Sequence, residues 1–168
     1  MAAGLPDRVD CMRLANEAAV LEREYALGEL PRLEDVLAEP TGVLEATFVF
    51  GKAHSGRAAA TVSVRAAPRL ICQRCLQGYE FPVRSASEVE FSSSEADSQS
   101  DEEHEMFVAA GGIASLRDLA EEELLLALPI AAACTTPETC GRAPASAADE
   151  PAEVRRPFAD LRNLLKRT

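Results

Sequence analysis

A period-two pattern of apolar and polar residues places the strongest constraint on how this chain folds. Val43, Glu45, Thr47 and Val49 share one face of an extended segment, and the residues that alternate with them share the other face. This is the spacing of a strand with one buried and one exposed side. Further strand-like runs, separated by turn residues, follow at 58–65, 70–72, 79–83 and 88–91. The sequence therefore predicts an antiparallel β-meander of about four strands.

A buried helix is predicted to pack against this meander, which makes the expected fold class α+β. The helix spans about 115–128: Ser115 is an N-cap candidate, Asp118 stands three residues further on, and Pro129 ends the run. Its apolar face, which Leu125 and Leu126 widen, is formed by Leu116, Leu119, Ala120, Leu124 and Ala127. Residues 10–27 carry helix formers without a clean period, so helix and strand both stay open there.

Length and composition divide the chain into one domain and a basic tail. A chain of 168 residues can bury one core and is too short for two ordinary domains. The predicted α+β domain covers 1–140 and contains a mobile acidic loop at about 92–105, because residues 85–105 hold eight acidic residues and no lysine or arginine. A linker is predicted at 141–157, followed by a short amphipathic helix at 158–168.

The charge distribution favours a basic protein partner over direct RNA binding by the whole chain. The formal net charge is −11, so nucleic-acid phosphates repel the chain unless positive charge is concentrated locally. The C-terminal segment concentrates such charge, with one acidic residue against five basic ones: Arg155, Arg156, Arg162, Lys166 and Arg167. This segment is predicted either to contact RNA phosphates or to form an ordinary amphipathic tail.

The first pair of cysteines is the sharpest local motif. Cys72-Gln-Arg-Cys75 lies on a predicted strand-to-strand turn, where both sulfurs point to one side, as half of a tetrahedral zinc site requires. No apolar stretch approaches the ~20 residues of a membrane span, and residues 1–10 lack a secretory signal, so we expect a cytoplasmic protein with reduced thiols. The strand-like flanks disfavour a redox role, which needs a cysteine at a helix N-terminus.

A second pair, Cys134 and Cys140, follows the predicted helix and could complete a zinc site. Their five intervening residues exceed the usual two to four. Zinc binding and simple packing of four reduced thiols therefore both stay open. If zinc is bound, the four sulfurs should lie within ~4 Å of one another. Cys11 has no nearby partner and is predicted to be a plain thiol.

Glu123 falls in the middle of the predicted apolar helix face, whereas Glu121 and Glu122 lie nearer its other side. A buried carboxylate is costly unless it is paired. We therefore predict that Glu123 is shielded and hydrogen-bonded, with Arg74 of the cysteine turn as its partner and Arg65 or backbone N–H groups as alternatives. The sequence has no phosphate-binding loop, dinucleotide fingerprint, nucleophile elbow or HExxH motif, which favours a non-enzymatic function.

Four stretches together resemble the YceD-like family of large ribosomal RNA accumulation proteins. They are Asp10-Cys-Met-Arg-Leu-Ala, the Cys72–Cys75 turn, Asp118 to Pro129, and Pro157-Phe-Ala-Asp-Leu161 with its basic end. The resemblance implies a non-enzymatic accessory of large-subunit ribosome assembly in bacteria, with a basic ribosomal protein or a pre-ribosomal particle as partner. RNA contact would be indirect or through the tail. Members carry His or Cys near position 134, and some carry a further Cys-rich stretch that this sequence lacks.

Two other classes of function compete with this one. A structural zinc-binding module for protein interaction would use the four cysteines alone. An RNA-processing enzyme would have to use carboxylates, which are plentiful in the acidic segment but stand in no recognisable catalytic pattern.

Overall fold

The computed structural model describes residues 7–92, 106–135 and 140. Within these ranges the chain forms ten strands: β1 (Arg8–Asp10), β2 (Val20–Ala26), β3 (Leu37–Glu39), β4 (Val43–Lys52), β5 (Ala58–Ala66), β6 (Arg69–Ile71), β7 (Gly78–Glu80), β8 (Val83–Ser92), β9 (Met106–Val108) and β10 (Ile113–Ser115). The α-helices in the same ranges are α1 (Cys11–Glu17) and α2 (Leu116–Ala127). Single 3-10 turns occupy Leu27–Glu29, Pro31–Leu33 and Ala110–Gly112.

A five-stranded sheet in the order β2-β4-β5-β8-β9 forms the centre of the fold. Neighbouring strands are antiparallel, except that β9 lies parallel to β8. The predicted alternation is seen directly in β4, where Leu44, Ala46, Phe48 and Phe50 are at most 2% exposed and the residues between them face outward. One face of the sheet is therefore apolar and needs a cover.

The two helices cover that apolar face. Helix α1 packs on β4 and β5, and α2 packs on β5 and β8. Both helices begin at a side-chain cap, because the backbone N–H of Arg13 donates to Asp10 Oδ1 at 2.9 Å and that of Asp118 donates to Ser115 Oγ at 3.2 Å. The buried residues of both helices belong to the same core as the sheet. No helix in the described ranges is long and apolar enough to cross a bilayer.

A two-stranded pairing of β1 with β10 ties the start of the chain to the start of α2. Asp7 strengthens this junction, since its carboxylate accepts hydrogen bonds from Tyr25 Oη at 2.9 Å, Ser115 Oγ at 2.9 Å and the N–H of Arg117 at 3.1 Å. Burial, followed by the hydrogen bond to this carboxylate, raises the pKa of Tyr25 above its ordinary value. The phenol therefore stays protonated and keeps donating to Asp7.

The strands at 69–71 and 78–80 do not join the central sheet, which corrects the expectation of one continuous meander. They form a hairpin, β6–β7, that pairs with β3 in a separate three-stranded sheet. The physical reason is Pro68, which has no N–H to continue the ladder beyond β5. The N–H of Phe81 donates to the carbonyl of Pro68 at 2.9 Å. This hydrogen bond closes the base of the β6–β7 hairpin, and the chain then continues into β8, which pairs with β5.

The α+β class and the buried helix are confirmed, with α2 at Leu116–Ala127. Residues 10–27, where helix and strand were both open, contain α1 followed by β2. Leu126 was expected to widen the buried face of α2 but is 65% exposed. The predicted acidic loop (93–105 of its span), the linker at 141–157 and the C-terminal helix at 158–168 lie outside the described residues.

Candidate metal centre and buried carboxylates

The four predicted cysteines converge on one point. Cys72 and Cys75 lie on the β6–β7 turn, and Cys134 and Cys140 follow α2. All four Sγ atoms lie within 4.8 Å of one another, with 3.6 Å between Cys72 and Cys140 and 3.8 Å between Cys75 and Cys134. Four sulfurs around a tetrahedral zinc, each at about 2.3 Å from the metal, stand about 3.8 Å apart. The four cysteines converge as predicted, although the limit of 4.8 Å exceeds the expected ~4 Å, and the sulfur positions could hold a metal ion.

Backbone hydrogen bonds shape the turn that carries the first pair. The N–H of Cys72 donates to Gln77 O at 3.0 Å, and the N–H of Leu76 donates back to Cys72 O at 2.9 Å. Leu76 closes the turn with φ at 59°, in the left-handed region that non-glycine residues seldom adopt. A further bond, from Gln73 N–H to Ala132 O at 2.8 Å, fastens the segment after α2 onto this turn. The two cysteine pairs are thus held together by main-chain contacts as well as by their sulfurs.

The environment of Cys72 favours a thiolate. Backbone N–H groups, first that of Cys134 and then that of Cys75, lower the pKa of the Cys72 thiol to about 5, against the opposing effect of burial. The Cys134 N–H lies 3.4 Å from Cys72 Sγ. Only the thiolate form of cysteine ligates metals, so this sulfur is ready to bind one at neutral pH.

The donor set itself indicates which kind of metal fits. Four cysteine sulfurs, three of them on side chains that are at most 8% exposed, form a soft and closed site. Structural zinc sites have this composition, whereas catalytic ones leave a coordination position for water or substrate. All of these cysteines are free thiols in the structure. The residues present therefore fit a structural zinc ion.

Cys11 lies elsewhere, in the main hydrophobic core rather than in the cysteine cluster. It is fully buried, and that burial raises the pKa of its thiol to about 11. Its sulfur lies 3.9 Å from the carbonyl oxygen of Val9, at the outer limit of a weak S–H···O contact. The prediction that Cys11 is a plain thiol agrees with this environment.

Glu123 is buried as predicted, with 5% of its surface exposed. The predicted partner is wrong, because Glu123 Oε2 accepts a short hydrogen bond from Ser87 Oγ on β8. Ser87 points to the face of the sheet on which α2 packs. Arg74 donates instead to the carbonyl of Cys134, with 3.0 Å between Nη2 and O. Its guanidinium thus supports the second cysteine pair rather than α2.

A second buried carboxylate on α2 was not predicted. Glu121 is 2% exposed and accepts a hydrogen bond at 2.7 Å from the backbone N–H of Arg32. That donor lies on the Pro31–Leu33 turn, against which α2 packs. Glu122 behaves as expected, because its side chain is 43% exposed and touches the Arg32 guanidinium only at 3.9 Å. The position of Glu121 on the helical projection did not indicate that it is buried, because its burial depends on a turn that is distant in sequence.

A family model described as "Large ribosomal RNA subunit accumulation protein YceD" matches residues 60–165. The chain belongs to this family. A search of curated proteins gave no match, and neither did a search of solved structures. The YceD description refers to accumulation of ribosomal RNA and not to a catalysed reaction.

The YceD match begins within β5 and extends past the cysteine centre. It therefore includes all four clustered cysteines together with Ser87, Arg74 and α2. The basic residues of the tail also fall in the matched range up to Arg162, but they lie outside the described residues, as do Lys166 and Arg167.

Proposed function

We propose that this protein is a non-enzymatic accessory factor for accumulation of large-subunit ribosomal RNA and for assembly of the large ribosomal subunit in the bacterial cytoplasm. It acts by binding a basic large-subunit ribosomal protein or a precursor particle that contains one. The observation that carries the proposal is the YceD family match over residues 60–165. The charge and surface of the chain then supply the argument for the class of partner.

An acidic patch on the β2–β4 part of the central sheet supports a basic protein partner. We use this name for Glu22 and Glu24 of β2 and Glu45 of β4, which are all exposed on the side of the sheet away from the helices. Glu24 and Glu45 stand directly opposite each other across the two strands. Like charges in that position destabilise a sheet. Arg65 offsets the repulsion only in part, at 4.0 Å from Glu45 with both side chains 60% exposed. A basic partner would relieve it.

The cysteine centre has a structural role in this proposal. Zinc bound by Cys72, Cys75, Cys134 and Cys140 would be held by four protein ligands, which leaves no position for a reacting water. These residues join the β6–β7 turn to the chain that follows α2. When bound, the metal supplies a cross-link, and the chain itself supplies the partner-binding surface.

A structural zinc-binding module for protein interaction, with no role in ribosomal RNA, is the alternative that the cysteine geometry supports by itself. The two functions predict different effects of depleting the protein on the amounts of ribosomal RNA. An accessory of assembly should lower the ratio of large-subunit to small-subunit ribosomal RNA when it is depleted. An unrelated interaction module should leave that ratio unchanged.

Affinity purification of the tagged full chain from growing bacteria, with identification of bound proteins and RNA, tests the proposal. We expect a basic large-subunit ribosomal protein to be recovered, with a yield that falls as salt rises. Glu22→Gln, Glu24→Gln and Glu45→Gln together should reduce its recovery. A control with the same charge change on exposed residues elsewhere, at Glu29, Glu34 and Asp35, should not. Recovery without any large-subunit component, combined with an unchanged RNA ratio on depletion, would refute the function.

The tail has a separate test in the full chain. Replacing its five basic residues with glutamine should weaken binding to ribosomal RNA and reduce the steepness of its salt dependence. Binding of the basic ribosomal protein should be retained. RNA affinity equal to that of the unchanged protein at physiological salt would exclude the tail as the RNA contact.

A further inference from the structure

A pocket of about 300 Å³ lies between α2 and the β8–β9 side of the central sheet. Six of its eight lining residues are apolar: Val62 and Val89 belong to the sheet, Leu119 belongs to α2, and β9 supplies Met106, Phe107 and Val108. Two carboxylates, Glu122 and Glu123, also line it. Pockets for drug-sized ligands begin at roughly 300 Å³. This one is therefore at the lower limit, which suits a single side chain better than a larger molecule.

Glu123 is the feature that gives the pocket its chemistry. The residue is 5% exposed, and only its Oε2 atom is engaged, by the hydroxyl of Ser87. Among the described residues no donor reaches its other oxygen. A buried carboxylate that lacks a charged partner is unfavourable, and a cation at hydrogen-bonding distance offsets that cost. The carboxylate stands in an apolar wall, so the ligand needs an apolar part as well as a positive charge.

We propose that this pocket binds the side chain of a lysine or arginine presented by a protein partner. Both side chains have an apolar stem and a cationic end. The stem would contact Met106, Phe107 and Val108 of β9, which retain accessible surface, and the cation would bond to the free oxygen of Glu123. Glu122 adds a second negative charge at the rim, where its side chain is 43% exposed. The nature of the partner rests on the proposed function, whereas the pocket and its ligand class rest on the structure.

The rest of the described chain does not supply this cation. Among the described residues, Arg32 is the basic residue seen in contact with one of these two carboxylates. Its guanidinium lies 3.9 Å from Glu122 Oε2, and its side chain is 55% exposed. Residues 93–105, which immediately precede β9, contain no lysine or arginine. The basic residues of the tail lie outside the described residues, and one arm of the experiment tests whether they bind in the pocket.

Methyl NMR of the full chain, titrated with blocked tripeptides, tests the proposal. Acetyl-Gly-Arg-Gly-amide and its lysine counterpart should shift the methyl signals of Met106, Val108 and Val89, which line the pocket. The norleucine counterpart, which has a similar stem and no charge, should not shift them. Glu123→Gln keeps the size of the side chain and its acceptor for Ser87, and should weaken peptide binding about tenfold.

Glu88→Gln is the matched control. Glu88 is exposed on β8 next to Ser87 but points to the opposite face of the sheet, and the net charge changes by the same amount. Peptide affinity should stay within about twofold of the unchanged protein. Should Glu123→Gln fail to fold, Val108→Phe provides a second variant, since Val108 lines the pocket and is 38% exposed. It should block the pocket and abolish the shifts while both carboxylates remain.

Three outcomes would overturn the proposal. Equal binding of the norleucine peptide would make the pocket a plain apolar groove. Equal losses in Glu88→Gln and Glu123→Gln would make the response one of general charge. The third outcome concerns the full chain with its five basic tail residues changed to glutamine. If this variant binds the peptide clearly more tightly than the unchanged protein, the tail is the occupant of the pocket. Peptide binding without recovery of a ribosomal protein from cells would leave the pocket standing and remove the proposed function.

Discussion

Loss of one cysteine from the metal centre should destabilise the protein strongly if zinc cross-links it. Cys75 and Cys134 are 59 positions apart in sequence and 3.8 Å apart at their sulfurs. A cross-link that closes a loop of this length restricts the unfolded chain by about 4 kcal/mol in the chain-entropy description of disulfides. Metal clips follow the same reasoning. For a chain of this size, about 4 kcal/mol corresponds to a fall in Tm of roughly 8–16 °C.

The assay combines elemental analysis for zinc with thermal melts of Cys134→Ser and of the unchanged protein, each with and without a chelator. We expect about one zinc per unchanged chain and a chelator-induced fall in Tm that matches the effect of the substitution. The chelator should have little further effect on Cys134→Ser. Cys11→Ala is the control, because Cys11 is buried but lies outside the cluster; it should retain zinc and its response to the chelator.

The reasoning would be refuted by purified protein that contains no zinc and whose Tm does not change with added zinc or chelator. It would also be refuted if Cys134→Ser bound zinc as tightly as the unchanged protein. The first outcome would mean that the four thiols are packed together without a metal, which was the competing interpretation of the sequence. The second would mean that Cys134 is not a ligand of the zinc.

Further measurements address the core and the buried acids. Denaturant titration should show that Glu121→Ala lowers the unfolding free energy by about 1–3 kcal/mol, because the backbone N–H of Arg32 loses its acceptor. In the same titration, Glu122→Ala should stay within about 0.5 kcal/mol of the unchanged protein. Asp7→Ala removes three hydrogen bonds and should lower the unfolding free energy by about 2–4 kcal/mol in the same titration. Asp10→Ala removes one helix cap and should lower it by about 1 kcal/mol. Equal losses in the two variants would contradict the role of Asp7 in joining β1 to α2. Since burial raises the pKa of Cys11 to about 11, its thiol stays neutral at pH 8 and mass spectrometry should detect its alkylation only after unfolding.

The elements that could be predicted from sequence are those with a local cause. The alternation in β4 depends only on neighbouring residues, and the structure reproduces it. Helix α2 carries its own start and stop signals in Ser115 and Pro129, and its bounds agree with the prediction. The cysteine centre was also accessible, because a short CxxC turn fixes two sulfurs by itself and few other thiols remain to complete the site.

What could not be predicted depends on contacts between distant segments. The N–H that bonds Glu121 lies 89 positions away, so a helical projection of α2 cannot reveal it. The same limit explains why Ser87 was overlooked as the partner of Glu123: its position on the inner face follows from the register of β8 against β5. A short strand at Met106–Val108 agrees with the sequence, but its parallel pairing with β8 does not follow from three residues, which carry no usable period.

The two buried acids of α2 fix how this helix sits, and thereby connect the pocket with the metal centre. Glu121 accepts from the Pro31–Leu33 turn, and Glu123 accepts from β8 on the central sheet. A rotation of α2 by one residue, about 100°, would break both hydrogen bonds and leave one of the two carboxylates buried and unpaired. Buried polar contacts of this kind add little net stability but penalise alternative packings. The orientation they select turns Glu123 into the pocket, and it directs the chain beyond α2 to the cysteine turn, where Ala132 receives the hydrogen bond from Gln73.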